Sequence, residues 1–179
     1  KNLLAIPRKQ RAVVRKALEG DLAVAIDDDI DRFFPLYAES VRNLGTPVFS
    51  RRFFALLKQA FGPDCEILTV LHQDRPVAAV MSFYFRDQVL PYYAGGTVDQ
   101  RRLGAHDLMY FETIARAGER GFKVFDFGRS KQGTGSFAFK KNWGFTPQFL
   151  HYEYQLAPGH DVPDVNPLNP KYRLFIAAW

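Results

Sequence analysis

Three runs with strand character, Glu66–His72, Pro76–Phe85 and Gln88–Ala94, follow one another through links of only a few residues, around Gln73–Arg75 and Arg86–Asp87. Links that short cannot hold a crossover, so the three runs must fold back on each other as an antiparallel meander. Gly95-Gly96 closes the third run. Leu108, Phe111, Ile114 and Ala115 then recur at helical spacing within Gly104–Arg120, and Gly121 supplies a stop. Lys123–Phe127 reads as a strand again. A helix between two strands of one sheet is a crossover, which predicts Lys123–Phe127 beside Gln88–Ala94 and parallel to it. The expectation is an α+β fold with a mixed, mostly antiparallel sheet flanked by helices.

Helices are also expected ahead of the meander. Pro7 to Gly20 has Val13, Val14 and Ala17 on one side and Arg8, Lys9, Arg11, Arg15 and Lys16 on the other, a basic helix face. Leu22–Ile26 reads as a short strand, and Asp27 to Asp29 offer an N-cap to a helix running to about Asn43, with Phe33, Leu36, Tyr37 and Val41 inward. Ser50 caps a further helix carrying Phe53, Phe54, Leu57 and Phe61, ended by Gly62-Pro63. Gln148–Leu156 alternates like a last strand, Pro158–Pro170 reads as a loop, and YRLFIAAW at the end reads as an unfinished helix. With 179 residues, 47% of them hydrophobic, the chain can bury one sizeable core. A single domain over residues 1–179, a piece of a longer protein, is the expectation.

Charge is concentrated at the start, where residues 1–20 hold six Lys or Arg against Glu19 alone. Asp21–Asp31 answers with five aspartates. A basic element of this kind suggests an anionic partner such as RNA, a phosphate-bearing substrate or a membrane surface, against the plainer reading of a solvated face. The lone Cys65 excludes an intrachain disulfide and a cysteine-based zinc cluster. No run is long enough to cross a bilayer and no signal-peptide segment opens the chain, so a cytoplasmic setting is expected.

The segment Phe125–Phe145, FDFGRSKQGTGSFAFKKNWGF, concentrates the chemistry. Glycines allow close backbone approach to a ligand, and their N–H groups can converge on an oxygen. Arg129, Lys131, Lys140 and Lys141 surround them with positive charge. An anionic or acyl-bearing ligand fits this pattern, and so does a turn-rich connection with surface lysines. Other motifs fail. Asp126-Phe127-Gly128 spells the kinase metal-binding triplet without the other kinase elements. Gly128–Gly133 has phosphate-loop spacing but lacks the Lys-Ser/Thr that should follow. His72, His106, His151 and His160 show no metal-ligand spacing, and no metal is expected.

The order of elements resembles that of the N-acetyltransferase (GNAT) superfamily, whose sheet splays after the fourth strand with the acyl donor at the following helix N-terminus. Arg101-Arg102-Leu103-Gly104-Ala105-His106 stands in the place of the pyrophosphate-binding turn of that superfamily, which implies Arg101 and Gly104 as coenzyme A contacts. His106 replaces the last small residue of the turn and would intrude on a diphosphate, so weak or absent coenzyme A binding is expected.

The stretch from Tyr92 to Phe145, with its Tyr-Tyr-x-Gly-Gly strand end, Asp-Phe-Gly turn and Phe-Lys-Lys segment, is similar to the second acyltransferase-like half of Fem-type peptidyltransferases. PRKQRAVVRKALEG resembles the basic helix of a subgroup associated with exosortase and PEP-CTERM exopolysaccharide loci. The resemblance implies an aminoacyl-tRNA donor rather than an acyl-coenzyme A thioester, no permanently bound cofactor, and an amine-bearing envelope or glycan precursor as acceptor. It also implies an N-terminal domain of the same protein as partner. Phe139 and Lys140 match the Phe-Lys pair near the donor end, and Tyr92, Tyr93, Gly95 and Gly96 match the strand end bordering the acceptor channel.

Direct attack of an amine on an activated carbonyl needs alignment, a deprotonated amine and oxyanion stabilisation. Lys140 is the candidate cationic stabiliser, and Gly133 and Gly135 offer amide donors. Asp126 is the candidate proton acceptor, or else a turn cap. Substrate contacts extend to Arg129. With Phe139–Lys141 extended, Lys140 and Lys141 would face opposite ways. Two alternatives stay open: a coenzyme A-dependent N-acetyltransferase, and a non-catalytic module binding RNA or an anionic glycan through the Arg8–Lys16 face.

Overall fold

The computed structural model describes residues 3–162. A 3₁₀ turn at Leu3–Ala5 leads into α1 (Arg8–Leu18), β1 (Leu22–Asp27), α2 (Phe33–Asn43) and α3 (Arg51–Phe61). The meander follows as β2 (Cys65–His72), β3 (Arg75–Phe85) and β4 (Gln88–Gly96), then α4 (Gln100–Leu103), α5 (Ala105–Glu119), β5 (Val124–Phe125) and α6 (Gly135–Asn142). The five strands lie in sequence order, antiparallel except for the parallel β4–β5 pair.

The hairpins form as their links require. Gln73 and Asp74 both adopt positive φ, 50° and 63°, and Arg86 sits at 54°. Such turns match the right-handed twist of the strands they join. Successive meander residues point to opposite faces, so each strand feeds two cores. Leu68, Val70, Ala78 and Val80 pack against Val14 and Ala17 of α1 and Leu108, Met109 and Phe111 of α5. Ile67, Ala79 and Met81 pack against Phe33, Leu36 and Tyr37 of α2 and Phe54 of α3. The result is a sheet between two helical layers. Each fully buried aliphatic or aromatic side chain contributes roughly 1.5–3 kcal/mol relative to exposure.

Several expectations need correction. Asp27 does not cap a helix: it is buried at the end of β1, accepts a 2.7 Å hydrogen bond from Thr69 Oγ1, and pairs with the guanidinium of Arg32. Thr69 and Arg32 take both carboxylate oxygens of Asp27, Asp29 Oδ1 accepts the Asp31 N–H at 2.8 Å, and the N-cap of α2 is Arg32, with no side-chain cap from Asp27 to Asp29. Ser50 does cap α3, accepting from Phe53 N–H at 3.3 Å. On α1, Arg11 is turned back to donate to the Ile6 carbonyl at 3.1 Å, leaving Arg8, Lys9, Arg15 and Lys16 on the exposed face. The expected helix from Gly104 is preceded by the separate turn α4, the two meeting at Gly104 with φ +70°. Lys123–Phe127 is parallel to β4 as expected, but only Val124 and Phe125 pair with it.

Gln148–Leu156 is not a strand; its residues are exposed, and alternation without a paired neighbour does not hold a strand. Most of Pro158–Pro170 and all of the terminal YRLFIAAW segment lie outside the described residues.

Candidate active site

The β4–β5 pairing stops after Val89↔Phe125 and one further bond, Asp126 N–H to Val89 O at 2.9 Å. From Leu90 to Gly96, β4 continues on β3 alone, and Phe127–Arg129 diverges from it. The divergence opens a wedge whose first wall is the unpaired edge of β4. A bulge interrupts this wall where Met81 pairs with Tyr93 but Ser82 pairs with Pro91, so Tyr92 is the extra residue. The bulge brings the rings of Tyr92 and Tyr93 to 4.7 Å of each other rather than sending them to opposite faces. Tyr93 packs on Tyr37 and Phe54, and burial raises its pKa. Tyr92 stays 56% exposed.

The second wall is the turn Asp126–Arg129. Asp126 Oδ1 accepts the Gly128 N–H at 2.7 Å, an Asx turn that closes over Gly128 at φ +66°. Lys140 Nζ donates to the carbonyls of Gly128 at 3.0 Å and Arg129 at 3.1 Å. Burial lowers the pKa of Lys140, and the nearby charge of Asp126 opposes that effect. Arg129 is exposed; a hydrogen bond to Tyr152, with the charges of Tyr152 and then Tyr92, raises its pKa. The structure therefore brings Asp126, Arg129, Lys140 and Tyr92 to one region.

Phe139 and Lys140 sit on a helix, not on an extended segment. Thr134 is its N-cap: Thr134 Oγ1 accepts Phe137 N–H at 3.3 Å and donates to the Lys131 carbonyl at 2.6 Å. Gly133, at φ +78°, shapes the entry to this cap, and Gly135 is the first residue of the helix. Lys140 and Lys141 are thus about 100° apart around α6 rather than opposed. Phe139 turns inward against His106 (5.1 Å), Tyr110 (5.6 Å) and Phe127 (6.2 Å). Trp143 anchors the end of α6 to α5 by donating its indole N–H to Asp107 at 3.0 Å.

The paired glycines of β4 have packing reasons to be glycine. A Cβ on Gly95 would lie 2.4 Å from the Leu36 carbonyl oxygen of α2, and one on Gly96 would lie 2.8 Å from that of Val77 and closer still to the Gln100 side chain. Ser40 of α2 then both donates to Gly96 O (3.0 Å) and accepts from Gly96 N–H (2.8 Å). Both glycines are buried by this contact rather than open to the wedge. Leu36, Ser40, Tyr110 and Tyr152 were not among the residues expected at the site. Only the small residue pair Gly95-Gly96 signals in sequence that a backbone must approach, and it does not say which one.

The turn between α4 and α5 is shaped by packing. A Cβ on Gly104 would meet Val13 Cγ1 at 3.1 Å and Ala17 Cβ at 3.4 Å, so its small size serves the packing of α1. Arg101 is exposed, and His106 fills the space between the start of α5 and α6, with its ring 5.0 Å from Tyr110. Burial, aided by the charge of Arg101, pushes the His106 pKa down to about 4. Its Nδ1 is buried with no hydrogen-bond partner among the described residues. A neutral, buried ring thus stands two residues after Gly104 at the start of α5.

Comparison with solved structures finds the same fold. FemX superposes with a TM-score of 0.71 at 16% identity, covering 80% of this chain and 56% of FemX. An aminoglycoside acetyltransferase from an uncultured soil metagenomic sample, solved with sisomicin, gives 0.60 at 14% identity, covering 78% of this chain and 99% of that one. A ribosomal-protein-alanine N-acetyltransferase from Brucella melitensis biovar Abortus 2308 gives 0.59 at 14% identity, covering 76% and 100%. No curated protein sequence matches the chain. A family model described as an acetyltransferase (GNAT) domain matches residues 6–141, which takes in the helical layers, the whole sheet and the Asp126–Lys140 wall. The chain therefore belongs to the acetyltransferase (GNAT) domain family and is an acyltransferase of that type.

Proposed function

We propose that this chain is the C-terminal acyltransferase domain of a Fem-type enzyme, transferring an aminoacyl group from aminoacyl-tRNA to an amine of a cell-envelope or polysaccharide-associated precursor. The observation that carries the reading is the wedge between the unpaired edge of β4 and the Asp126–Arg129 turn, with Lys140 fixed on its wall. FemX supports it with a higher TM-score, 0.71, than the 0.60 and 0.59 of the two acetyltransferases. The matched part amounts to 56% of FemX, consistent with one half of a two-domain enzyme. The basic α1 fits the exosortase-associated subgroup, and a cytoplasmic setting is part of the proposal. No helix among the described residues is long and apolar enough to cross a membrane.

In this reading the acceptor nitrogen attacks the donor carbonyl carbon, and the C–O bond to the tRNA ribose breaks as the tetrahedral intermediate collapses. Two N–H groups of Lys140 hold Gly128 and Arg129, which leaves a third and the full ammonium charge for the developing oxyanion. Asp126 uses Oδ1 for Gly128, so Oδ2 is the atom to take the amine proton on its way to the leaving ribose oxygen. Gly133 and Gly135 lie at the entry to α6, where helix amides lack internal acceptors. Tyr92, Tyr93 and Arg129 line the acceptor side; Gly95 and Gly96 set the approach of α2 that supports it. Arg101 and Gly104 flank the donor end without a direct part in the chemistry.

The test is transfer of labelled aminoacyl groups from aminoacyl-tRNA by the full-length protein to a panel of amine-bearing envelope precursors. Transfer that depends on Lys140 supports the reading, and turnover with acetyl-coenzyme A but not with aminoacyl-tRNA refutes it. The second reading, a coenzyme A-dependent N-acetyltransferase, is favoured by the family match itself. A thermal shift with acetyl-coenzyme A against a nucleotide control separates the two.

A further inference from the structure

Where β1 begins and β2 ends lies a cleft of about 250 Å³, lined by Lys16 and Ala17 of α1, Gly20, Asp21, Leu22, His72, Arg102 and Leu103. Its polar side chains come from four separate places in the fold: the end of α1, the entry to β1, the end of β2, and α4. Register brings Leu22 and His72 opposite one another, so the β1–β2 edge forms one wall while α1 and α4 form the others. We infer that this cleft is a binding site for a phosphate group, held by Lys16, Arg102 and a ring N–H of His72.

Charge and pairing carry the inference. Lys16 makes no ion pair or hydrogen bond among the described residues, and Arg102 has only a loose 3.6 Å contact to the exposed Asp99. Asp21 is the single carboxylate among the lining residues, so two permanent cations outweigh it. Ala17, Leu22 and Leu103 complete the lining with apolar side chains. Lys16 stands at the cleft end of α1, a helix that contains no acidic residue, whereas Arg8 lies at the other end and outside the cleft. A solvated basic face needs no cleft at its end and no contribution from a second helix. A ligand phosphate needs both, because Arg can grip it through two parallel N–H groups while Lys supplies a point charge. The inference stands apart from the acyl-transfer reading, because neither the wedge nor Lys140 takes part in it.

The experiment is NMR titration of the full chain with inorganic pyrophosphate, following the His72 ring resonances. AMP and a short oligoribonucleotide are titrated in parallel, to distinguish a nucleotide phosphate from a nucleic-acid backbone. The expected result is saturable movement of His72 with pyrophosphate, weakened roughly tenfold or more by Lys16→Gln and by Arg102→Gln, as loss of a charge-assisted contact requires. Arg8→Gln, at the other end of α1, should leave pyrophosphate binding unchanged. The AMP and oligoribonucleotide titrations support the cleft if both move His72 and both weaken with Lys16→Gln. Binding of the oligoribonucleotide alone, reduced equally by Arg8→Gln and Lys16→Gln, would overturn the site in favour of a diffuse cationic face. No movement of His72 with any of the three would overturn it outright. All three glutamine variants alter exposed side chains, and an unchanged thermal melt confirms that each is folded.

Discussion

Lys140 Nζ stands 3.0 Å from the carbonyl oxygen of Gly128, so the side chain proposed to stabilise the oxyanion also holds the turn that forms its own wall. Replacing it with Ala removes charge and clamp together. Lys140→Ala is expected to lower kcat by roughly 10²–10³, the loss typical of one preorganised oxyanion donor. Lys141 is exposed and bonds to nothing in the wall, so Lys141→Ala should change kcat by less than about threefold. Steady-state kinetics of the two variants decide it, and equal small effects would leave Lys140 a purely structural lysine.

His106 gives the fold a pH dependence with a definite sign. Its pKa falls from the ordinary 6.5 to about 4 on folding, so the unfolded chain takes up a proton between those values and the folded chain does not. Stability is therefore fully present above the unfolded value and is lost as pH falls through the folded one, by about 3 kcal/mol in total. Carboxylates titrate in the same range, so the diagnostic quantity is a difference. His106→Phe keeps a ring against Tyr110 and Phe139 and should flatten the unfolding free energy between pH 7 and 4 relative to the wild type. Parallel curves for the two proteins would show that His106 is not desolvated as described.

Gly95 and Gly133 should respond differently to the same substitution. Gly95→Ala drives a methyl group into the α2 backbone, where the Leu36 carbonyl cannot step aside, and should cost about 3 kcal/mol or more in urea unfolding. Gly133 has open space around it and only its φ of +78° to defend, so Gly133→Ala should cost about 1–2 kcal/mol. Ser40→Ala, which abandons both polar groups of Gly96, should cost about 1–3 kcal/mol. A reversed order of the two glycine variants would mean that α2 does not rest on β4 as it does here.

The layers of the fold were legible because they follow from local rules. Short links dictated the meander, the apolar spacing from Leu108 to Ile114 dictated α5, and the helix between β4 and β5 dictated their parallel pairing. Two elements were not. Gln148–Leu156 alternates, but alternation describes a strand only when a neighbour covers one face, and the neighbour is not a local property. Helix α6 has Gly133 just before it and Gly135 and the adjacent Lys140 and Lys141 within it, which read as loop and extended chain. Thr134, poised to receive the Phe137 amide, was the signal that could have found it. At the site, the charge around Lys140 and the Asx role of Asp126 were readable from residue types. The contacts of Ser40 with Gly96, of Tyr152 with Arg129, and of His106 with Phe139 join segments far apart in sequence, and only the folded chain brings them together.

Coenzyme A binding separates the proposed donor from the family's ordinary one. With Gly104 facing α1 and His106 filling the position of a small residue, calorimetry should detect acetyl-coenzyme A binding no tighter than about 100 μM, near −5.5 kcal/mol. His106→Gly opens the turn and should tighten that binding.

Single-turnover transfer measured side by side with aminoacyl-tRNA and acetyl-coenzyme A, in full-length wild type and in Lys140→Met, tests the central claim most directly. The account predicts acyl transfer to an envelope-precursor amine from aminoacyl-tRNA alone, with a rate that drops at least about 100-fold in Lys140→Met. Transfer from acetyl-coenzyme A at a comparable rate, or a Lys140→Met rate equal to wild type, would contradict it.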